Sequence, residues 1–127
     1  MHIAYLALKA LTLKAKAFED AAKDPMRAQK KILLEYVSRN KNTEYGRIYN
    51  FPEIKSIDDY RMLVPISDSE TIFPYVERIK KGGQNILTKD KVIFFGLTSG
   101  TTGKPKFIPV TSFSRAKKAE TMDLWTH

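Results

Sequence analysis

Nine consecutive residues, Thr98-Ser99-Gly100-Thr101-Thr102-Gly103-Lys104-Pro105-Lys106, carry the densest chemistry in the chain. They comprise three threonines, a serine, two glycines, two lysines and a proline. Hydroxyl groups donate hydrogen bonds to phosphate oxygens, and lysine ammonium groups supply point charge. Glycines let backbone N–H groups turn toward an anion and approach it closely. The segment lies between two apolar, strand-like runs, Val92-Ile93-Phe94-Phe95-Gly96-Leu97 and Phe107-Ile108-Pro109-Val110. A donor-rich loop between two strands suits a polyphosphate. Glycine and hydroxyl residues are also common in ordinary hairpin turns, so the order of the residues must separate the two readings.

That order excludes two familiar phosphate motifs. A Walker-type loop needs glycine five residues before Gly103, where Thr98 stands, and a hydroxyl residue after the lysine, where Pro105 stands. The dinucleotide fingerprint G-x-G-x-x-G is absent. The run from Thr98 to Lys106 instead resembles the phosphate-binding loop of adenylate-forming enzymes, the superfamily of acyl-CoA synthetases, luciferases of the firefly type and peptide-synthetase adenylation domains.

Upstream residues narrow the resemblance. Thr43-Glu44-Tyr45-Gly46 is followed by Ile57-Asp58-Asp59-Tyr60-Arg61 and Val64-Pro65-Ile66, then by Pro74-Tyr75-Val76-Glu77-Arg78-Ile79 and Gly82-Gly83. Over about residues 30–115 this succession resembles the auxin-responsive family of acyl-acid amido synthetases, and more closely its bacterial relatives. Plant members usually begin the loop Ser-Ser; here Thr98 precedes Ser99, which keeps the donors.

The resemblance implies a ligase that uses ATP to adenylate a carboxylic acid and then transfers the acyl group to the amine of an amino acid. It implies that Ser99, Thr101 and Thr102 donate hydroxyls to the β- and γ-phosphates. Thr98 opens the loop, Gly100 and Gly103 permit close backbone approach, and Lys104 and Lys106 offer charge. The family counterpart of Lys106 alternatively ties the loop to a mobile C-terminal domain. Magnesium accompanies ATP, with its protein ligand implied to lie outside this chain. No catalytic residue and no metal ligand is identifiable within it. Met122 and Trp125, on the last helix, are candidates for an acyl pocket or for core packing.

A complete adenylate-forming enzyme is several times longer than 127 residues. The resemblance therefore implies an N-terminal fragment, inactive by itself. Two further readings stay open: the matching piece of an acyl-CoA ligase, and a non-catalytic basic module that grips phosphate or nucleic acid. The segment from Thr43 to Gly82 favours the amide-forming branch.

Composition bounds the alternatives. Lys and Arg number 22 against 14 acids, a formal charge of +8. Residues 1–63 hold 12 basic and 8 acidic side chains, and residues 64–127 hold 10 and 6. The excess is read as solvated surface, because no nucleic-acid module accompanies it and the aromatics fall in apolar patterns. There is no cysteine, which excludes disulfides and thiolate chemistry and fits a cytoplasmic setting. His2 and His127 are the only histidines, which argues against a Ser-His-Asp triad or a histidine metal site. No stretch approaches the ~20 apolar residues of a membrane span. The apolar run Ile3–Leu8 lacks a preceding positive region and is followed by Lys9, Lys14 and Lys16, so it reads as amphipathic helix rather than signal peptide.

The elements that must position the loop follow from pattern and punctuation. Ile3, Leu6, Ala10, Leu13 and Ala17 recur at helical steps within residues 3–23. Asp24-Pro25 restarts the chain into a helix over 25–40, with Ile32, Leu33, Tyr36 and Val37 on its buried side. Residues 43–55 read as an irregular connection with a short turn. Ser56 caps a short helix over 57–62, and Val64-Pro65-Ile66 is extended. A longer helix starts near Ser67 or Asp68, is kinked or restarted at Pro74, and stops at Gly82-Gly83. Residues 85–88 read as a small strand. The strand into the loop follows, then the strand out of it, then a helix capped by Thr111 or Ser112. Tyr45, Tyr60 and Tyr75 read as packing residues, and Glu19-Asp20 and Asp58-Asp59 as helix-surface or first-turn charges.

The fold class is therefore α/β: a helical layer over 1–83 and a strand-loop-strand-helix unit over 84–127, one partial domain holding the first strands of a larger sheet. Two strands cannot close a sheet, so apolar faces should be left uncovered. At about 25 cal/mol per Å² of apolar area, a few hundred Å² unburied would forfeit several kcal/mol.

Overall fold

A computed structural model describes residues 2–98 and 105–125. Helix α1 (His2–Lys23) is built from Ala, Leu and Lys, which give up little side-chain freedom in a helix. Its Tyr5, Leu13 and Phe18 are each about two-thirds exposed (65%, 62% and 61%); of the expected stripe, Leu13 and Ala17 are exposed, and the side chains of Ile3, Leu6 and Ala10 lie outside the described part. Asp24 ends α1 and starts α2 (Pro25–Asn40): its carboxylate accepts the Arg27 amide at 3.0 Å, and Pro25 supplies a pre-set φ in the first turn.

The inner face of α2 is shifted from the expected one. Leu33, Leu34 and Val37 meet the core, whereas Ile32 and Tyr36 are exposed. The core is built by Val37, Ile54 and Val64, with Tyr45, Tyr49, Phe51, Tyr60 and Leu63 packed against them. Leu34 turns toward the Phe51–Lys55 segment, and Tyr36 instead meets the Phe113 ring edge-on at 5.8 Å.

Residues 43–55 are more regular than expected. They form α3 (Glu44–Ile48) and a 3-10 turn at Phe51–Glu53. Thr43 starts α3, its hydroxyl accepting the Gly46 amide at 2.9 Å. Asn50, in the left-handed region at φ 54°, then redirects the chain, a conformation asparagine tolerates. The expected strand at 85–88 is absent. Asn85 also adopts a left-handed conformation, φ 57°, and the Asn85 and Ile86 carbonyls accept the Glu44 and Tyr45 amides at 2.9 and 3.0 Å. That stretch satisfies the open first turn of α3 instead of a strand ladder. Ile86 is buried there, 4% exposed.

Helix α4 (Ile57–Leu63) starts where expected, with the Ser56 hydroxyl accepting the Asp59 amide at 3.1 Å. Helix α5 (Ser69–Lys80) is capped by Asp68, which accepts the Thr71 amide at 2.8 Å. It runs through Pro74 as one helix, so of the expected kink or restart the restart does not occur. Pro74 lies in the second turn, where it removes a single backbone hydrogen bond from a helix already secured at its start. Gly82, at φ 93°, ends the excursion as a glycine beyond a helix end commonly does.

The sheet has two strands among the described residues. β1 (Val92–Thr98) pairs antiparallel with β2 (Lys106–Thr111), and α6 (Ser112–Trp125) follows directly. Thr111 provides the cap of α6: its hydroxyl accepts the Ser114 amide at 3.1 Å. Helix α5 packs on β2, and α6 approaches both β2 and α1.

Candidate functional site

The pairing register decides where the donor-rich segment sits. Phe94 faces Val110, Phe95 faces Pro109, Gly96 faces Ile108, Leu97 faces Phe107 and Thr98 faces Lys106. Thr98 and Lys106 are the last pair of the ladder. Paired strands run about 5 Å apart, so the chain leaves β1 and re-enters β2 at neighbouring points. The two described ends of the candidate loop are thereby brought together. Ser99, Gly100, Thr101, Thr102, Gly103 and Lys104 lie outside the described residues.

Side-chain alternation places Gly96, Thr98, Lys106 and Ile108 on one face of the hairpin. Thr98 and Lys106 are exposed, and no described carboxylate pairs with Lys106. A Cβ at Gly96 would meet nothing nearer than the Ile108 carbonyl at 3.9 Å, so the face is open there. On the other face, Phe95 meets Phe107 edge-on at 6.2 Å, and the Lys80 ammonium stands 3.8 Å above the Phe107 ring. Lys80 also pairs with Glu77 at 2.7 Å. The end of α5 thus supports β2 one residue from Lys106.

Charge along this unit is one-sided. Residues 91–119 contain Lys91, Lys104, Lys106, Arg115, Lys117 and Lys118 and no acid. Dividing the chain into halves hides this, because the acids of the second half fall before residue 91 and after residue 119. A count over successive windows of the sequence reveals it.

One ion pair holds the base of the hairpin, and a second ties α5 to α3 in the helical layer. Arg39 of α2 donates from Nε and Nη2 to Asp90 at 2.9 and 2.8 Å. The Asp90 carboxylate, ahead of the other contributions, raises the Arg39 pKa from its ordinary value. Arg78 of α5 donates to both oxygens of Glu44 at 2.7 and 2.6 Å and holds that carboxyl below its ordinary value. Neither pair was legible from local sequence, because 51 and 34 residues separate the partners.

Two hollows lie elsewhere. One, of about 100 Å³, lies beside Gly83, Ile86, Thr88, Asp90 and Val92. It is too small for a nucleotide and lies roughly 20 Å along β1 from Thr98. The other, of about 450 Å³, is lined by Leu34, Val37, Ser38, Lys41, Phe51, Pro52, Ile54 and Lys55. Lysines are its only ionisable lining groups, so it holds no acid–base pair. Among the described residues no group of three or more His, Cys, Asp or Glu could hold a metal ion, and no helix is long and apolar enough to cross a membrane.

The singled-out tyrosines and the acids Asp20, Asp58 and Asp59 have structural roles. Tyr45 packs against Tyr49, Phe51 and Tyr75, with ring centroids 4.5, 6.1 and 5.7 Å away, and Tyr60 packs on the core. Asp59 accepts the Lys55 amide at 2.9 Å, Asp58 approaches Arg61 at 3.5 Å, and Asp20 pairs with Lys23 at 2.6 Å. Met122 is exposed, and the Trp125 side chain lies outside the described part.

A helical layer feeding an antiparallel hairpin and a following helix is the architecture of the N-terminal region of acyl acid amido synthetases. Over 91% of this chain and 21% of its own length, the structure titled AtGH3.15 acyl acid amido synthetase in complex with 2,4-DB superposes with a TM-score of 0.80 at 25% identity. Residues 14–127 match the GH3 family N-terminal domain, and the chain belongs to that family. Jasmonoyl–L-amino acid synthetase JAR6 of Nicotiana attenuata is 35% identical over 94 residues, covering 72% of this chain and 16% of that protein. Jasmonoyl–L-amino acid synthetase GH3.5 of Oryza sativa subsp. japonica is 33% identical over 94 residues, with the same coverage of 72% and 16%. The chain thus spans about one-sixth of the length of these curated relatives.

Proposed function

We propose that this chain contributes the triphosphate-binding loop of an ATP-dependent ligase that joins a carboxylic acid to the amine of an amino acid. The observation that carries the reading is the Thr98–Lys106 pair. It delivers both ends of a segment rich in hydroxyls, glycines and lysines to one place, within a stretch free of carboxylates. Family membership and the printed activities of the relatives support the same reading.

The chemistry asks for such a loop. A carboxylate oxygen attacks the α-phosphorus of ATP, the bond to the bridging oxygen breaks, and pyrophosphate departs with the electron pair. Donors fixed around the β- and γ-phosphates stabilise the charge that grows on this leaving group. The hydroxyls of Ser99, Thr101 and Thr102, the amides near Gly100 and Gly103, and the ammonium groups of Lys104 and Lys106 match that need in number and type. The amino acid's amine then attacks the acyl carbon, AMP leaves, and the amine loses a proton to give the amide. Magnesium screens phosphate charge in this chemistry; among the described residues no acidic cluster fits it as a ligand set, so no step is assigned to it.

The test is ATP–pyrophosphate exchange in the complete ligase, driven by a panel of aryl and alkyl carboxylic acids. Ser99→Ala and Lys104→Ala should each slow exchange by about 10²- to 10³-fold, the usual effect of removing one preorganised donor. Unchanged exchange in both variants would contradict the role. Product formation with amino acids but not with coenzyme A distinguishes an amide-forming enzyme from an acyl-CoA ligase.

A further inference from the structure

Two strands joined in a hairpin are marginal on their own, so their orientation must be imposed by surrounding contacts, Lys80 of α5 on Phe107 near the far end and a second set at the base. Both feet of this hairpin converge on one side chain. Asp90, two residues before β1, receives two hydrogen bonds from the Arg39 guanidinium, at 2.9 and 2.8 Å. Phe113, two residues after β2, lies under the same guanidinium, with Cζ 3.9 Å from the ring centroid. The planar fork of arginine suits both contacts at once, bidentate to a carboxylate and stacked on a ring. The pair is partly shielded, with side-chain exposures of 28% for Arg39 and 18% for Asp90. The neighbouring Asn40 accepts the Lys89 amide at 3.1 Å, reinforcing the first foot.

We infer that Arg39 is a positioning residue for the far end of the hairpin, holding Asp90 and Phe113 so that the Thr98–Lys106 pair, from which the candidate loop departs, is kept at a fixed place. The inference rests on the phosphate-loop reading for its functional consequence, but its structural part stands on geometry alone. Leverage gives the contact its importance. β1 extends roughly 20 Å from foot to tip, so a tilt of about 10° at the base moves the tip by about 3 Å. Misplacing a binding group by about 1 Å already costs on the order of 10²-fold in rate. Lysine in place of Arg39 would keep the charge and lose the fork. Leucine in place of Phe113 would keep apolar volume and lose the ring face.

The experiment pairs amide hydrogen exchange with kinetics on the complete ligase carrying Arg39→Met, Arg39→Lys or Phe113→Leu. In each variant, amides of β1 and β2 should exchange at least about 10-fold faster, while those of α4 and α5 stay unchanged. The KM for ATP should rise about 10-fold or more in Arg39→Met, and the KM for the carboxylic acid should not follow it. Hairpin exchange equal to wild type, or an equal rise in every element, would overturn the inference. Should Arg39→Met fail to fold, the Phe113→Leu and Arg39→Lys exchange patterns decide the matter by the same criteria. Lys104→Ala, assayed alongside, judges the phosphate-loop reading separately. A normal KM for ATP and normal exchange of pyrophosphate in that variant would remove the functional reading, yet leave the hairpin exchange to decide whether Arg39 is the anchor.

Discussion

The Thr43 hydroxyl accepts the Gly46 amide at 2.9 Å while donating to the Asn40 carbonyl at 2.8 Å. One fully buried side chain, 0% exposed, thereby joins the end of α2 to the start of α3. Thr43→Val preserves shape and removes both bonds. Loss of such a cap costs about 0.5–2 kcal/mol, and burial places this one at the upper end. Urea unfolding of Thr43→Val should show a lower midpoint with an unchanged slope, and Thr43→Ser should recover most of the loss. A midpoint equal to wild type in Thr43→Val would show that the cap is dispensable.

Gly46 is required for space. An added Cβ would press into the Asn40 carbonyl and stand only 3.1 Å from the Lys41 carbonyl oxygen, both backbone groups that cannot swing away. Gly46→Ala should destabilise by about 1–3 kcal/mol, the usual cost of overpacking, despite alanine's better helix propensity. Thermal melting checks the sign. A melting point at or above that of wild type would mean that α3 does not pack so closely on the end of α2.

Local punctuation explains what the sequence disclosed. Asp24-Pro25, Ser56, Asp68 and Gly82 act on their immediate neighbours, so the limits of α2, α4 and α5 followed from them. Elements set by distant partners did not follow. The Asn85–Ile86 stretch looks strand-like, yet its carbonyls are engaged by α3, more than 40 residues earlier in the chain. The inward turn of Leu34 and the outward position of Ile32 depend on where the Phe51–Lys55 segment lies, which periodicity along α2 cannot reveal. The candidate loop stands out in the sequence because its chemistry is contiguous. Its anchors, Arg39 and Lys80, were hidden because only folding places them beside Phe113 and Phe107.

Acid should loosen the helical layer. Arg78 holds the Glu44 carboxyl below its ordinary value of 4.5. The Lys55 amide, then the Ser56 hydroxyl, lowers Asp59, and the Thr71 amide, then its hydroxyl, lowers Asp68, each from an ordinary value of 3.8. Each group thus titrates at lower pH when folded than when unfolded. Their stabilisation is full above the ordinary values and is lost as pH falls through the folded ones. Melting temperature should therefore be steady from pH 7 to about 5 and fall below about pH 4. Arg78→Met should lower the plateau and flatten part of that fall. A melting temperature that does not decline between pH 5 and pH 3 would contradict these assignments.

The central claim concerns where a nucleotide's phosphates lie. A crystal structure of the complete ligase with a non-hydrolysable ATP analogue tests it most directly. The account predicts β- and γ-phosphate oxygens within about 3 Å of hydroxyl and amide donors between Ser99 and Gly103, with the Lys104 ammonium alongside. Triphosphate density lying away from the Thr98–Lys106 end of the hairpin would contradict it.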